Sequence, residues 1–264
     1  MALALYYSFC DYSLLQSPVF RGWENYRLLL RDPVFWKALR NTGYYAIVAL
    51  PAGMLVSIGL ALMLNVKTVG QGVYRTIIFL PSLVPVVASA MLWLWLFNAK
   101  AGLINAVLLK IGINGPGWLI DKHWTIPALS IMSLWGVGYT VVIYLAGLQD
   151  VPQELYEAAE IDGAGAWRRL LSVTLPMISP VIFFNLIMAI IGTLQVFVIP
   201  FIMTPSGNPE RSAYFYSVMV YDNAFIYLKM GYASAMAWVQ LLIILALTAV
   251  SFWWGKKWVH YQGK

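Results

Sequence analysis

Apolar runs of membrane length alternate with short polar stretches along this chain. Between Arg40 and Lys67 stand 26 residues without a charge, enough for one spanning helix at about 1.5 Å per residue. Thr76 to Ala99 adds 24 more, with Pro81 and Pro85 as kinks and Trp93 and Trp95 placed for the far interface. His123 to Gln149 gives a third run of 27 residues. Leu170 to Pro209 is uncharged for 40 residues, and roughly Met177 to Met203 of it forms a fourth span. Met230 to Gly255 is the fifth, and Lys256-Lys257 open a basic tail. Between the runs, Asp11 to Asn41 alternates apolar and charged residues as a surface-lying amphipathic segment does. Ala101 to Lys122 is rich in turns around a short helix at Leu103 to Ile111, and Thr204 to Lys229 reads as a polar loop. No repeat of 20 to 50 residues is visible. The pattern predicts an all-α, polytopic helical membrane protein with five complete transmembrane helices in a single domain, residues 1–264.

One hydrophilic stretch stands apart, Asp150 to Pro176, because membrane-length runs flank it on both sides. Five of the eleven acidic residues fall between Asp150 and Asp162. Pro152 suits a first helical position, and Gln153 and Glu154 then place polar and anionic side chains near the positive end of the helix dipole. At 100° per residue Glu154, Glu157 and Glu160 share one arc, while Leu155, Ala158 and Ala159 share the opposite one. Gly163 stops this helix; Ala166 to Val173 gives a second, carrying Trp167, Arg168 and Arg169, until Pro176 forces a new direction. The expected shape is a bent, two-sided plug at residues 150–176.

Composition narrows the chemistry. With 61% hydrophobic and 11% charged residues, and a mean hydropathy of +0.73, the chain lies far from the roughly 25% charge of a soluble domain. The net charge of +6 comes from basic residues scattered between apolar runs, so juxtamembrane anchoring explains it and a nucleic-acid face does not. A lone Cys10 with His123 and His260 cannot build a disulfide framework, a Cys/His metal cluster or a Cys–His nucleophile. The uncharged runs hold no ionisable Asp, Glu, Lys or Arg, which disfavours a proton-coupled carrier. There is no G-x-x-x-x-G-K-[ST] to cradle a nucleotide. Energy for any transport must therefore come from a partner, and the protruding loop is the segment shaped to meet one. A scaffold that docks a cytosolic protein and moves nothing would share these features.

The run Glu157-Ala158-Ala159, then Asp162-Gly163-Ala164, then Val173 with Leu175-Pro176, resembles the "EAA" signature of membrane subunits of binding-protein-dependent ABC importers. The string GWENYRLLLRDPVFWKALRNT from Gly22 onward is similar to the lead-in of the carbohydrate-type members, such as the maltose, glycerol-phosphate and lactose systems. The resemblance covers most of the chain and implies an ABC type I importer permease fold. It makes Asp150 to Pro176 a cytoplasmic coupling loop, with Glu157, Ala158, Ala159, Asp162 and Gly163 at the contact with an ATPase subunit. It also implies that Met1 to Cys10, which has neither the length of a span nor the basic region of a signal peptide, is the remnant of a first spanning helix. Where relatives commonly have a Gly-Gly-Pro turn, this chain has Ser206-Gly207-Asn208-Pro209.

The same resemblance implies the partners: a homologous second permease subunit, two copies of a cytosolic ATPase subunit that hold the ATP and magnesium, an extracytoplasmic solute-binding protein, and the lipid of the cytoplasmic (inner) membrane. No cofactor is expected on this chain. In the family the solute passes between the helices on either side of the coupling loop. On the first, Met132, Trp135, Gly136 and Tyr139 follow an i, i+3, i+4, i+7 stripe; on the second, Ala189, Gly192, Thr193 and Val196 do the same. Such stripes suit an uncharged polyol, and equally suit helix packing. Asn185 and Gln195 either line the path or bond a neighbouring helix. With no cation in the runs, neutral sugars are favoured over phosphorylated ones. If the loop is cytoplasmic, seven basic residues lie inside and ten outside, against the usual bias.

Overall fold

The computed structural model describes residues 1–66 and 68–260. Lys67, the end of the first uncharged run, and the tail residues 261–264 lie outside the described residues. The chain is mostly helical, with one correction to the all-α expectation. Helix α1 (Ala2–Ser8) stops after seven residues, and the backbone enters an antiparallel hairpin of β1 (Cys10–Ser13) and β2 (Gln16–Phe20), Cys10 opposite Phe20. Asn25 Nδ2 donates 2.9 Å bonds to the carbonyls of Ser8 and Cys10, oxygens that a continuing helix would have used itself. The amphipathic segment is real but short: α2 (Glu24–Arg31) buries Asn25 and Leu29 and exposes Leu28 and Leu30.

Helix α3 (Pro33–Asn65) begins at Pro33 rather than after Arg40, so Lys37 and Arg40 ride on the first long apolar helix. Arg75 likewise lies within α4 (Gln71–Phe79). The expectation of helices free of basic residues is corrected by these three. Lys37 Nζ donates to the Glu210 carbonyl, which shows how a long cationic side chain near a helix end finds polar backbone.

Beyond α4 a 3₁₀ turn at Leu80–Leu83 leads into two extended residues, Val84 and Pro85, with ψ of 129° and 136°, before α5 (Val86–Leu96). Pro81 and Pro85 therefore interrupt the second expected span rather than kink it. Helix α6 (Leu103–Lys110) falls where expected. The third run is interrupted too, at Gly136-Val137, between α7 (Thr125–Trp135) and α8 (Gly138–Gln149). The hydrophilic loop forms α9 (Gln153–Ile161), α10 (Ala166–Arg169) and α11 (Leu175–Met177). Then come α12 (Ser179–Leu194), α13 (Val198–Met203), α14 (Tyr216–Tyr221) and α15 (Met230–Gly255), the last with the bounds read from the sequence. By length and composition three segments can cross a membrane, Pro33–Asn65, Ser179–Met203 and Met230–Gly255, or five if each interrupted pair is one span.

Only 22%, 17% and 17% of the most apolar windows of those three are buried, so most of their side chains face outward. Ile47, Leu55 and Met63, eight residues apart on α3, are 74%, 72% and 73% exposed. A surface so apolar is stable against hydrocarbon and would aggregate in water.

Two compact units make up the chain. The first comprises Met1–Val48, Pro85–Met132 and Ile191–Leu247. The segment expected as a polar loop, 204–229, belongs to it, and its stretch 213–224 is instead mostly buried: Ala213, Tyr214, Phe215, Tyr216, Val218 and Met219 are all inside. Phe35 and Tyr45 of α3 meet the rings of Tyr216 and Phe215 edge-on, at 5.8 and 5.3 Å between centroids. Asn41 Nδ2 donates to Arg211 O and Tyr214 O, at 2.9 and 3.1 Å, and the Tyr216 N–H donates to Thr42 Oγ1. In the same segment Ser206, Glu210 and Arg211 take left-handed backbone, φ of 55°, 50° and 56°, which costs a non-glycine residue about 1–2 kcal/mol each. Gln240 Nε2 donates to Leu194 O at 2.7 Å, satisfying a carbonyl freed where α12 ends.

Within this unit the Tyr214 hydroxyl donates to Asp222 Oδ2 at 2.7 Å with both residues buried. Burial, and then Asp222, push the Tyr214 hydroxyl well above its ordinary value of 10.0. A raised folded-state value means that the bond contributes in full below about pH 10 and is lost as pH climbs towards that raised value. Tyr214→Phe leaves Asp222 without this donor and is expected to cost about 1–3 kcal/mol. Thermal melts at pH 7 and above pH 10 check both points: the gap between variant and parent is wide at pH 7 and narrows in alkali.

The second unit comprises Ala49–Val84, Ser133–Ile190 and Thr248–Lys264. Ala61 and Leu64 of α3 pack with Val141, Tyr144, Leu145 and Leu148 of α8, and with Val151 and Ile178 at the two ends of the hydrophilic loop. That loop is thus rooted in a core.

Candidate functional site

The loop is built from that root outward. Val151 is 8% exposed, so the chain leaves the core abruptly, and Pro152, with φ −58° and ψ 131°, sits at the cap of α9 rather than inside its first turn. Glu154 follows in the first turn, where the helix dipole favours an anion. Tyr156 leans back toward the core, packing partly against it, and its phenol lies 3.1 Å from Thr174 Oγ1. Thr174 in turn donates to Arg169 O at 3.4 Å, which makes the phenol the donor of the first bond.

Helix α9 ends in a Schellman arrangement. Gly163 takes φ +74°, its N–H donates to Glu160 O at 3.0 Å, and the Ala164 N–H reaches back to Ala159 O at 2.9 Å. The chain then reverses into α10, and Glu160 Oε1 meets Arg169 Nη1 at 3.4 Å across the turn. Glu160 is exposed and Arg169 half-buried, so the pair contributes at most about 1 kcal/mol. After α10 a π-helical turn, Leu170–Thr174, passes into α11. Pro176 does not force the chain aside there: Ile178 N–H donates to Thr174 O and Ile182 N–H to Ile178 O, so helical bonding continues past it. The wider turn before Pro176 is where a missing N–H is accommodated.

Of the sequence-predicted coupling residues, Glu157, Ala158, Asp162 and Gly163 are exposed and Ala159 is half-buried, all on one short protrusion. Two residues that the arcs did not single out complete its surface. Ile161 is 86% exposed and Trp167 78% exposed. Ile161 falls inside the acidic arc, and that was the available signal: an isoleucine among carboxylates on a solvent face has no intrachain use. Tyr156 was missed because it lies at the border of the two arcs.

The two path stripes fare differently. Met132 is buried at 4%, and the break at Gly136-Val137 means that Met132, Trp135, Gly136 and Tyr139 do not share one continuous helical face, a correction to the predicted stripe. Tyr139 is 56% exposed and meets the Phe79 ring edge-on at 5.0 Å. Ala189, Gly192 and Thr193 follow each other on α12, but Val196 lies past its end, so this stripe stops one residue short. A Cβ at Gly136 or Gly192 would meet nothing within 4 Å. Asn185 is buried and donates to Val181 O of its own helix, which is neither of the two roles considered for it; Gln195 is exposed.

Residues 49–257 match the family described as binding-protein-dependent transport system inner membrane component. The whole chain aligns at 35% identity with a probable ABC transporter permease protein, YesP of Bacillus subtilis, covering 86% of it. It is 34% identical to the sulfoquinovosyl glycerol transport system permease protein SmoG of Agrobacterium fabrum, over 95% of this chain and 82% of that one. The lactose transport system permease protein LacF of Rhizobium radiobacter is 36% identical, with 96% and 90% covered. Among solved structures, a bacterial ABC transporter that imports the acidic polysaccharide alginate superposes with a TM-score of 0.80 at 24% identity, over 89% of this chain and 84% of that one. The same kind of transporter, in complex with its pentasaccharide-bound periplasmic protein, gives 0.78 at 25% identity, over 87% and 81%.

Proposed function

The chain belongs to the binding-protein-dependent transport system inner membrane components, a transport subunit rather than an enzyme, and we propose that the solute it carries is a sugar or related polyol. The observation that carries this reading is the rooted, protruding loop around Glu157 and Gly163 in a chain whose relatives include named sulfoquinovosyl glycerol and lactose permeases. In this reading the loop is cytoplasmic and is the lever. A separate ATPase subunit, present twice and holding ATP and magnesium, seats Glu157, Ala158, Ala159, Asp162 and Gly163, with Ile161 and Trp167 supplying apolar anchors. Closure of the ATPase pair moves the loop, and the core residues Val151 and Tyr156 pass that displacement to α8.

A second, homologous permease subunit completes the path, and an extracytoplasmic binding protein delivers the solute, as a periplasmic protein accompanies the alginate transporter. Trp135, Gly136 and Tyr139 on one side of the loop, and Ala189, Gly192 and Thr193 on the other, are the path contributions that remain compatible with the helix breaks. Alternating access then follows from rocking about a site reached from one side at a time.

Uptake of radiolabelled disaccharides tests this. Cells lacking the gene are expected to fall to background for at least one sugar and to recover with a plasmid copy. Unchanged uptake across neutral and acidic sugars would leave a docking scaffold as the better reading.

A further inference from the structure

Helix α3 carries Trp36, Arg40 and Tyr44 at i, i+4 and i+8, with Lys37 and Asn41 beside them, and this face lines a cavity of about 740 Å³. Lys122, His123, Ile126, Glu210 and Ser212 form its other wall. The volume sits within the range of small-molecule sites, about 300–1,000 Å³. Its charge is unbalanced: Lys37, Arg40 and Lys122 face the one carboxylate of Glu210, and Lys122 takes that carboxylate at 3.0 Å. Lys37 is engaged with the Glu210 carbonyl, and Asn41 is tied to the 211–214 backbone. That leaves the Arg40 guanidinium with no ion-pair or hydrogen-bond partner among the described residues, between two aromatic side chains that are 51% and 47% exposed.

We infer that this cavity is a binding subsite for an anionic saccharide, one bearing a carboxylate or sulfonate on the ring or on its C6. The chemistry is two-part. A sugar's C–H face packs on Trp36 or Tyr44, and Arg40 takes the anion through its planar fork, a bidentate geometry that an ammonium cannot supply. Lys37 and Lys122 add field without direct contact, since both are held by Glu210. The sequence favoured neutral sugars because the uncharged runs held no cation; placing the start of α3 at Pro33 brings two onto the helix. The inference rests on the saccharide reading above and sharpens it to an acidic class.

The assembled transporter, reconstituted in nanodiscs with its cognate subunits, is titrated with digalacturonate and with the neutral dimethyl ester of the same disaccharide. Digalacturonate is expected to bind about tenfold or more tightly than the ester at low salt, a gap that closes at about 0.5 M salt because the site is open to solvent. Arg40→Gln closes the same gap without shifting the melting midpoint, and Arg40→Lys restores part of it. Trp36→Ala weakens both probes by a similar factor. Equal affinity for the two probes in the parent, or a gap that survives Arg40→Gln, overturns the inference while leaving import of neutral sugars intact. Loss of binding-protein capture in Arg40→Gln with the gap unchanged also overturns it, and makes this face a protein contact. Absence of any sugar-dependent uptake by the parent in cells would instead count against the saccharide reading itself.

Discussion

Gly163→Val is expected to cut solute uptake to below about a tenth while the assembled transporter continues to hydrolyse ATP, because in the proposed reading the substitution acts on the direction of the lever and not on the motor. Gly163 holds φ +74°, a conformation that costs an ordinary L-residue about 1–2 kcal/mol and a β-branched one more. A Cβ built there meets nothing within 4 Å, so a defect cannot be assigned to a clash inside the chain. What the valine removes is the turn. Without the left-handed residue, the bonds from Gly163 to Glu160 and from Ala164 to Ala159 cannot both form, and α9 either frays or runs on. Arg169 then loses its place opposite Glu160, and Trp167 is carried off with α10. Gly163→Asn separates backbone from interface: asparagine tolerates left-handed backbone, so it is expected to keep most of the uptake. Uptake and ATP hydrolysis measured on the same preparation decide the matter, and a valine variant that transports at the parent rate would remove Gly163 from the coupling path.

Much of this loop was open to inspection in the sequence because its signals are local. A proline opening, acids in a first turn, a glycine stop and a second short helix are each set by neighbours within four residues. The same holds for α15, whose bounds match the charge-free run, and for α6. The misreadings share a different cause. Pro81, Pro85 and Gly136 are compatible with either a bent continuous helix or an interruption, and tertiary partners choose between them. Charge counting puts the start of α3 too late because it takes Lys37 and Arg40 for a barrier, whereas a long side chain can leave its backbone in the helix and put its charge on a distant carbonyl. The 204–229 segment reads as polar from Asn208, Glu210, Arg211 and Asp222, yet its stretch 213–224 is mostly buried. Its polar groups are satisfied by residues far off in sequence, Asn41 and Thr42 among them, and no local pattern reports such pairings.

Gly138→Val is expected to lower both the melting midpoint and uptake, whereas Gly136→Ala, two residues earlier, leaves the melting midpoint close to the parent. The contrast follows from what a side chain would meet. At Gly138 a Cβ would lie 2.9 Å from Ile78 O, Phe79 Cα and Ser82 Oγ, and the first two are backbone that cannot turn aside. At Gly136 it would meet nothing within 4 Å, and a Gly→Ala change there reduces the freedom of the unfolded chain. Gly138 is buried at the start of α8, and its neighbour Tyr139 holds the ring of Phe79 edge-on, so separating α8 from α4 opens that contact as well. Overpacking of this kind costs about 1–3 kcal/mol, and at about 2–4 °C per kcal/mol the loss is well within reach of a thermal melt. Transport is expected to suffer beyond the stability loss because α8 runs straight into Val151 and the core that roots the loop, the lever of the proposed reading. If Gly136→Ala and Gly138→Val lowered the melting midpoint equally, the close approach of α8 to α4 would carry no special weight, and the two glycines would matter only as helix breakers.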